Sequence, residues 1–150
     1  MFPRWHILYG FIFSALVWIV FPEIVWYNIF LIFFASVFID FDHYIIAVWR
    51  TGKFSLFSAF EYYRKLDEKA LADLRKGIRL KKADFQVFHT IEIHALVLGV
   101  GLSFIPFIYL FIGMFFHSLL DIFEMQNRGV LYTREFLFVN WIRQKIKSFL

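Results

Sequence analysis

Four long apolar runs, separated by short polar breaks and one basic loop, constrain this chain more than any other feature. They cover residues 5–21, 24–41, 84–103 and 107–123. An α-helix rises 1.5 Å per residue, so about 20 mostly apolar residues are needed to cross the hydrocarbon core of a bilayer. The composition points the same way, because 61% of the residues are hydrophobic and only 19% are charged. We therefore predict an all-α integral membrane bundle of four transmembrane helices, forming a single domain over residues 1–150.

The basic residues are distributed unevenly, and their distribution gives the bundle an orientation. Ten of the sixteen Lys and Arg residues lie in the loop over residues 50–82, and the others are Arg4 and five residues after position 127. The two short turns near residues 22–23 and 103–107 carry none. Loops rich in Lys and Arg stay on the cytoplasmic side of a membrane. We therefore predict a multi-pass protein of the cell (inner, cytoplasmic) membrane, with the long loop and both termini in the cytoplasm.

Two segments outside the apolar runs have amphipathic patterns. Residues 53–66 place aromatic and basic side chains at helical spacing, which is typical either of an amphipathic helix on the membrane surface or of a solvated helical hairpin loop. Residues 130–150 mix apolar and basic side chains and predict an amphipathic helix at the membrane interface. Cysteine is absent, which excludes disulfides, thiolate catalysis and cysteine-bound metals.

Ionisable side chains occur in three clusters at the ends of the apolar runs. The clusters are Asp40–His43, His89–His94 and His117–Asp121. With the predicted orientation, all three lie at the same depth near the cytoplasmic face. Such groups are costly to place beside lipid, so together they indicate a functional site, and imidazoles with carboxylates are the composition of a metal centre. We predict a site for one to three divalent ions, with Zn²⁺ the first candidate and these ligands: Asp40, Asp42, His43, His89, His94, His117 and Asp121.

In each of two clusters, the candidate ligands share one face of their own helix. His117 and Asp121 are four residues apart and share a face, which is also the spacing of a His–Asp hydrogen bond that only packs two helices. Asp40 and His43 are three residues apart and also share a face. Acidic residues at the C-terminal end of a helix oppose its macrodipole, so we expect a cation beside Asp40 and Asp42, although a polar helix end at the interface gives the same pattern.

The third cluster does not fit one face. His89 and His94 are five residues apart, which places them about 140° apart around an ideal helix. Either two ions are bound, or one histidine lies outside the ligand shell, or the helix is locally irregular. Our hypothesis is that the two histidines serve different ions, or different shells of one ion. We predict Glu92 and Asp42 as general-base candidates, and His6 either joins the site or lies at the interface.

These motifs resemble a known family. The segments IDFDH (Ile39–His43), HTIEIHA (His89–Ala95) and GMFFHSLLD (Gly113–Asp121) are similar to the PDxDH, HRxxTHS and GxxxHLxLD motifs of the YdjM-like family, small inner-membrane proteins described as metal-dependent hydrolases. The resemblance covers roughly residues 30–125 and implies metal binding by the matching His and Asp positions. This chain also differs from the family motifs, which have Pro, Arg, Thr and Ser at the positions of Ile39, Thr90, Ile93 and Ala95. Those differences imply a different mode of substrate binding, with Glu92 as an additional acid.

The predicted function is a membrane-embedded metal-dependent hydrolase with its site at the cytoplasmic membrane face. The location favours a phosphoester or lipid-like substrate drawn from the membrane lipids, and no nucleic acid partner is expected. The alternative is a non-catalytic metal-binding, structural or transport membrane protein. Membrane di-iron oxygenases use histidine boxes that this chain lacks, and glutamate-type intramembrane proteases use a paired-glutamate motif that it also lacks.

Overall fold

The computed structural model describes residues 3–147, and these residues fold into helices without any β-strand. The helices are α1 (Pro3–Val20), α2 (Trp26–Phe38), α3 (Phe41–Thr51), α4 (Leu56–Arg75), α5 (Ile91–Gly101), α6 (Pro106–Asn127) and α7 (Phe138–Lys147). Single 3₁₀ turns lie at Val87–His89 and Leu131–Thr133. The predicted all-α class is confirmed.

Helix α2 is the centre of the bundle, and small residues let its neighbours approach closely. A Cβ added to Gly113 of α6 would lie 2.2 Å from the carbonyl oxygen of Ile32 in α2. A Cβ added to Gly10 of α1 would lie 2.2 Å from the Oγ of Ser36, also in α2. Glycines at such contacts allow helix backbones to pack against each other in membrane bundles. Helices α1 and α6 are therefore held tightly against α2, and α5 packs on α6.

The distribution of polar and apolar side chains is inverted relative to a soluble protein. Among the described residues, eight hydrophobic side chains are buried, whereas eleven polar or charged ones are. Large apolar side chains face outward on the helices, with Ile19 75%, Trp26 68% and Phe11 63% exposed. Exposing that much apolar surface to water is unfavourable by roughly 25 cal/mol for each Å², so an apolar solvent suits this surface better.

Two helical stretches in the described part of the chain are long and apolar enough to cross a membrane. They are Trp26–Thr51, which combines α2 and α3, and Pro106–Asn127, which is α6. The apolar helices at Arg4–Val20 and Ile91–Gly101 are shorter. Helix α5 begins only at Ile91, so the first residues of the apolar run over 84–103 lie outside it. The chain therefore has two candidate membrane-spanning helices, together with two shorter apolar ones.

The break between α2 and α3 changes the predicted setting of the first cluster. Asp40 occupies the N-cap position of α3 and Asp42 lies in its first turn, rather than at the C-terminal end of a continuous span. A helix N-terminus favours negative charge. These carboxylates therefore do not oppose the macrodipole of α3, contrary to the prediction. Whether they bind a cation depends on the side chains around them.

Helices α4 and α7 lie outside the apolar bundle. Helix α4 packs against α3, and the Tyr63 hydroxyl donates a 3.1 Å hydrogen bond to the carbonyl oxygen of His43. Burial raises the pKa of Tyr63 well above its ordinary value, so this hydroxyl keeps its proton. Helix α7 has no buried residue and is attached through Trp141, whose ring stacks on Phe85 at 4.6 Å between centroids.

Candidate metal centre

His117 is placed by the close packing of α6 on α2. It follows Gly113 by one helical turn, on the face that meets α2. Its Nδ1–H donates a 2.7 Å hydrogen bond to the carbonyl oxygen of Ser36, in the last turn of α2, where carbonyls lack a helical partner. That bond fixes the tautomer and leaves the Nε2 lone pair free. This is the usual arrangement of a metal-binding histidine, whose second nitrogen is held by a carbonyl or carboxylate.

His89 is held in the same way by a carboxylate. It ends the 3₁₀ turn that precedes α5. The backbone at His89 is therefore locally irregular, which is one of the three alternatives given above for His89 and His94. Its Nδ1 lies 3.3 Å from Oδ2 of Asp42, and the same oxygen accepts a 3.2 Å hydrogen bond from the backbone N–H of Phe88. The His89 ring is fully buried, with its Nε2 facing the Nε2 of His117 at 3.2 Å.

Two imidazole nitrogens that face each other need a cation between them. Both Nδ1 protons of His89 and His117 are committed to other acceptors, so each Nε2 presents a lone pair to the other. Two lone pairs at 3.2 Å repel unless a proton or a metal ion lies between or beside them. The environment of these rings therefore favours a bound cation.

Two carboxylate oxygens complete a group of four donor atoms. Oδ1 of Asp40 lies 3.5 Å from Nε2 of His89 and 3.4 Å from Nε2 of His117. Oδ2 of Asp121 lies 3.8 Å and 3.6 Å from the same two nitrogens. Four ligands at about 2.0–2.1 Å from a tetrahedral Zn²⁺ would be separated by roughly 3.3–3.4 Å. Each of the two carboxylates therefore places an oxygen near the spacing that a small divalent ion needs from the two histidine nitrogens.

Further donors lie beside this group. His43 Nδ1 lies 3.2 Å from Oδ1 of Asp40 and 3.0 Å from Oδ1 of Asp42, and His6 Nε2 lies 3.3 Å from Oδ1 of Asp121. The His6 ring also stacks on His117 with 3.9 Å between centroids. Three overlapping donor groups result, each able to hold an ion: His6, Asp40 and His117; Asp40, His43 and His89; and His89, His117 and Asp121.

The formal charge of the cluster also suits a divalent ion. Three carboxylates, Asp40, Asp42 and Asp121, meet one guanidinium, that of Arg134, whose Nη1 donates to Oδ2 of Asp121 at 2.9 Å. With neutral histidines the net charge is about −2 in a buried setting, which is costly unless a cation compensates it.

His94 and Glu92 lie away from the donor groups. The Nδ1–H of His94 donates to the carbonyl oxygen of Thr90 at 2.9 Å, and its Nε2 lies 3.1 Å from the hydroxyl of Ser118. One carboxylate oxygen of Glu92 accepts a 3.4 Å hydrogen bond from the backbone N–H of Val139, in the first turn of α7. Of the predicted ligands, the structure brings together six, and it places His94 and the general-base candidate Glu92 elsewhere.

Two residues at the site were not predicted. Arg134 comes from the segment interpreted as an interfacial helix, where it is one of several interspersed basic residues. Gln86 precedes the 3₁₀ turn, and its amide Nε2 donates a 2.7 Å hydrogen bond to Nε2 of His43. Gln86 is a polar residue inside the apolar run over 84–103, and this could have pointed to it. No pattern in the sequence points to Arg134, because only the tertiary fold brings it to Asp121.

Two cavities meet at the cluster. The smaller, about 150 Å³, is lined mainly by polar residues, including His43, Gln86, Asp121 and Arg134. The larger, about 650 Å³, is lined mostly by apolar and aromatic side chains of α2, α3, α4 and α6, and it also reaches Asp40, His43 and Asp121. His43 and Asp121 therefore line both cavities, and Asp40 lines the larger one.

Compared with known protein families, curated proteins and solved structures, the chain matches none of them.

Proposed function

We propose that this protein is a membrane-embedded, metal-dependent hydrolase that cleaves a phosphoester of a lipid-like substrate at the cytoplasmic face. The observation that carries this proposal is the set of four donor atoms on His89, His117, Asp40 and Asp121, separated by 3.2–3.8 Å from one another wherever a histidine is involved. Asp121 of this set lines both the polar and the apolar cavity, so a substrate with a polar reacting group and an apolar chain would be accommodated beside it.

The residues present suit a divalent ion, with Zn²⁺ the first candidate, held by the two histidine Nε2 atoms and the two carboxylates. Such an ion supplies Lewis acidity and lowers the pKa of a water molecule in the site towards ~7. The chain itself orients the donors. Ser36 and Asp42 hold the two rings with their Nε2 atoms turned inward, as residues behind metal ligands commonly do.

His43 is the residue best placed to accept a proton. Its Nδ1–H donates to Asp42 at 3.0 Å, which leaves Nε2 as an acceptor, and Gln86 occupies that position at 2.7 Å. An imidazole whose Nδ1–H is held by a carboxylate presents Nε2 as a proton acceptor, which is the arrangement of a general base. The attacking water would take the position that the Gln86 amide holds at Nε2. We assign the base to His43, positioned by Asp42, in place of Glu92. In hydrolysis, His43 Nε2 takes the proton of the attacking water and returns it to the oxygen of the leaving alcohol.

The larger cavity supports an amphiphilic substrate. Its apolar walls on α3, α4 and α6 suit an acyl or prenyl chain, and its polar end reaches the metal centre. In the orientation predicted from the basic residues, the cluster would face the cytoplasm. We infer that α1 and α5 complete a four-span bundle, with α5 reaching only part of the way across. A short apolar helix is tolerated through local thinning of the bilayer and through packing against longer neighbours.

The test compares two histidines of the same short stretch. We would purify the protein and its His89→Ala and His94→Ala variants in detergent, quantify bound metal, and assay hydrolysis of water-soluble and lipid phosphoesters. We expect the wild type and His94→Ala to retain metal and turnover, and His89→Ala to lose both. A metal-free wild type would contradict the proposal. Metal without hydrolysis of any phosphoester would instead favour a non-catalytic metal-binding or transport protein, because a metal site alone does not establish turnover.

A further inference from the structure

The side chain of Arg134 is buried but incompletely paired. Only 8% of the residue is exposed, and its Nη1 donates to Oδ2 of Asp121 at 2.9 Å. Its Nε and Nη2 are buried and have no hydrogen-bond acceptor among residues 3–147. A guanidinium has five N–H donors and no acceptor, and unpaired charged donors in a protein interior are unfavourable. The structure therefore leaves two nitrogens of this guanidinium, Nε and Nη2, without an acceptor among those residues.

Arg134 lines the smaller cavity together with Asp121, one of the proposed metal ligands. Within the described part of the chain, Arg134 is the one cationic side chain on the cavity wall. The acidic side chains of the same wall already have cationic partners. Asp84 pairs with Arg50, and Glu135 pairs with Lys82 at 3.0 Å. Asp121, the third acid of the wall, accepts from Nη1 of Arg134. Every acid of the wall is therefore paired, whereas the Nε and Nη2 groups of Arg134 have no acceptor among the residues that the structure describes, and an anion would supply one.

The neighbouring groups suit an oxyanion. Gln86 lines the same cavity, and its amide nitrogen donates only to His43 among the hydrogen bonds described. The carboxylate of Asp121 joins the two features, since it lies beside Nε2 of His117 and accepts from Arg134. An anion in the cavity would thus lie beside Asp121, the carboxylate that connects the guanidinium to the proposed metal ion.

From this arrangement we propose that the smaller cavity is a subsite for phosphate oxygens, bound by the guanidinium of Arg134, which has donors to spare. A guanidinium binds phosphate with parallel N–H groups, which a lysine ammonium cannot reproduce. The inference rests on the proposed function in naming a phosphoester as the ligand class. Binding of the anion does not itself require turnover.

The experiment measures binding of inorganic phosphate to the metal-loaded protein in detergent by isothermal titration calorimetry. Arg134→Lys keeps the positive charge beside Asp121 and removes the planar pair of donors, so we expect phosphate affinity to fall roughly tenfold or more with unchanged metal content. Arg64→Lys is the matched control, because Arg64 pairs with Glu68 on the exposed face of α4 and should leave phosphate affinity unchanged. A wild type that binds no phosphate, or an Arg134→Lys variant within twofold of wild type, would overturn the inference.

A second arm distinguishes a lipid headgroup from free phosphate. A short-chain phosphatidic acid in nanodiscs should bind more tightly than inorganic phosphate if its chain enters the larger cavity. Ala59→Phe places a ring against that cavity and should weaken the lipid while leaving inorganic phosphate unaffected. If Ala59→Phe leaves both ligands unaffected, the subsite takes free phosphate, and the lipid source is wrong.

Failure of the two proposals can be told apart. If phosphate binding depends on Arg134 but no phosphoester is hydrolysed, the subsite stands and the hydrolase proposal fails. If phosphoesters are hydrolysed and Arg134→Lys leaves KM and phosphate affinity unchanged, the hydrolase proposal stands and the subsite fails.

Discussion

Gly113 should control metal affinity although it carries no ligand atom. A Cβ at this position would lie 2.2 Å from the carbonyl oxygen of Ile32 and 2.9 Å from the Cβ of Ala35. Neither neighbour is the end of a flexible side chain, so Gly113→Ala must move α6 away from α2. To relieve the contact with the carbonyl, the helices have to separate by about 1 Å, given ordinary contact distances of roughly 3.5 Å between non-bonded atoms.

That separation acts directly on His117, one turn along α6. Its Nδ1 lies 2.7 Å from the carbonyl oxygen of Ser36, and a shift of about 1 Å stretches the bond beyond the range of a hydrogen bond. Loss of a residue that orients a metal ligand typically lowers metal affinity by about 10–100-fold. We expect a loss of that size for Gly113→Ala, with an overpacking cost of about 1–3 kcal/mol in stability.

The assay is titration of Zn²⁺ into the metal-stripped protein in detergent, with thermal unfolding measured in parallel. Gly99→Ala is the matched control, because a Cβ at Gly99 meets no atom within 4 Å, and alanine favours the helix over glycine by up to about 1 kcal/mol. That variant should bind Zn²⁺ as the wild type does. Wild-type affinity in Gly113→Ala would refute the argument that close packing of α6 on α2 positions His117.

Three further predictions concern other side chains. His43→Gln should lower kcat by about 10²–10⁴-fold, as loss of a general base does, while metal bound by the other ligands is retained; an unchanged kcat would exclude His43 as the base. Glu92→Gln should leave metal content and turnover unchanged. It should speed amide hydrogen exchange in the first turn of α7, where the backbone N–H of Val139 donates to Glu92. Loss of turnover without faster exchange in α7 would instead identify Glu92 as the base. The hydrogen bond from Lys82 lowers the pKa of Glu135, so its stabilising effect is present above the ordinary carboxyl pKa and is lost as the pH falls through the lowered value. In thermal unfolding, Glu135→Gln should therefore be less stable than wild type by at most about 1 kcal/mol near neutral pH and equal to it in strong acid, and a difference that persists in acid would contradict this.

Much of the fold follows from the distribution of apolar residues. The runs over 5–21, 24–41 and 107–123 correspond to α1, α2 and α6, because a long apolar stretch without Gly–Pro breaks has few alternatives to a helix. The apolar run over 84–103 predicts a helix from its start, whereas α5 begins at Ile91. Hydropathy does not distinguish a helix from the extended segment and 3₁₀ turn that precede α5, since the residues there are apolar in either conformation.

The site was only partly accessible from the sequence. The spacing of Gly113, His117 and Asp121 is regular along one helix face, so a sequence pattern can reveal it. The irregular turn at His89 was one of three alternatives that helical geometry left open, and only the backbone decides among them. Arg134 reaches Asp121 through a loop after α6, and such a tertiary contact leaves no periodic signal.

The central claim is that His89 and His117 bind one divalent ion together with carboxylate oxygens. Zinc X-ray absorption spectroscopy of the metal-loaded protein tests this most directly. We predict a four-coordinate ion with two imidazole nitrogens and oxygen donors at about 2.0–2.2 Å, and the loss of one imidazole contribution in His117→Ala but not in His94→Ala. A spectrum with oxygen donors only, or one that changes in His94→Ala and not in His117→Ala, would contradict the account.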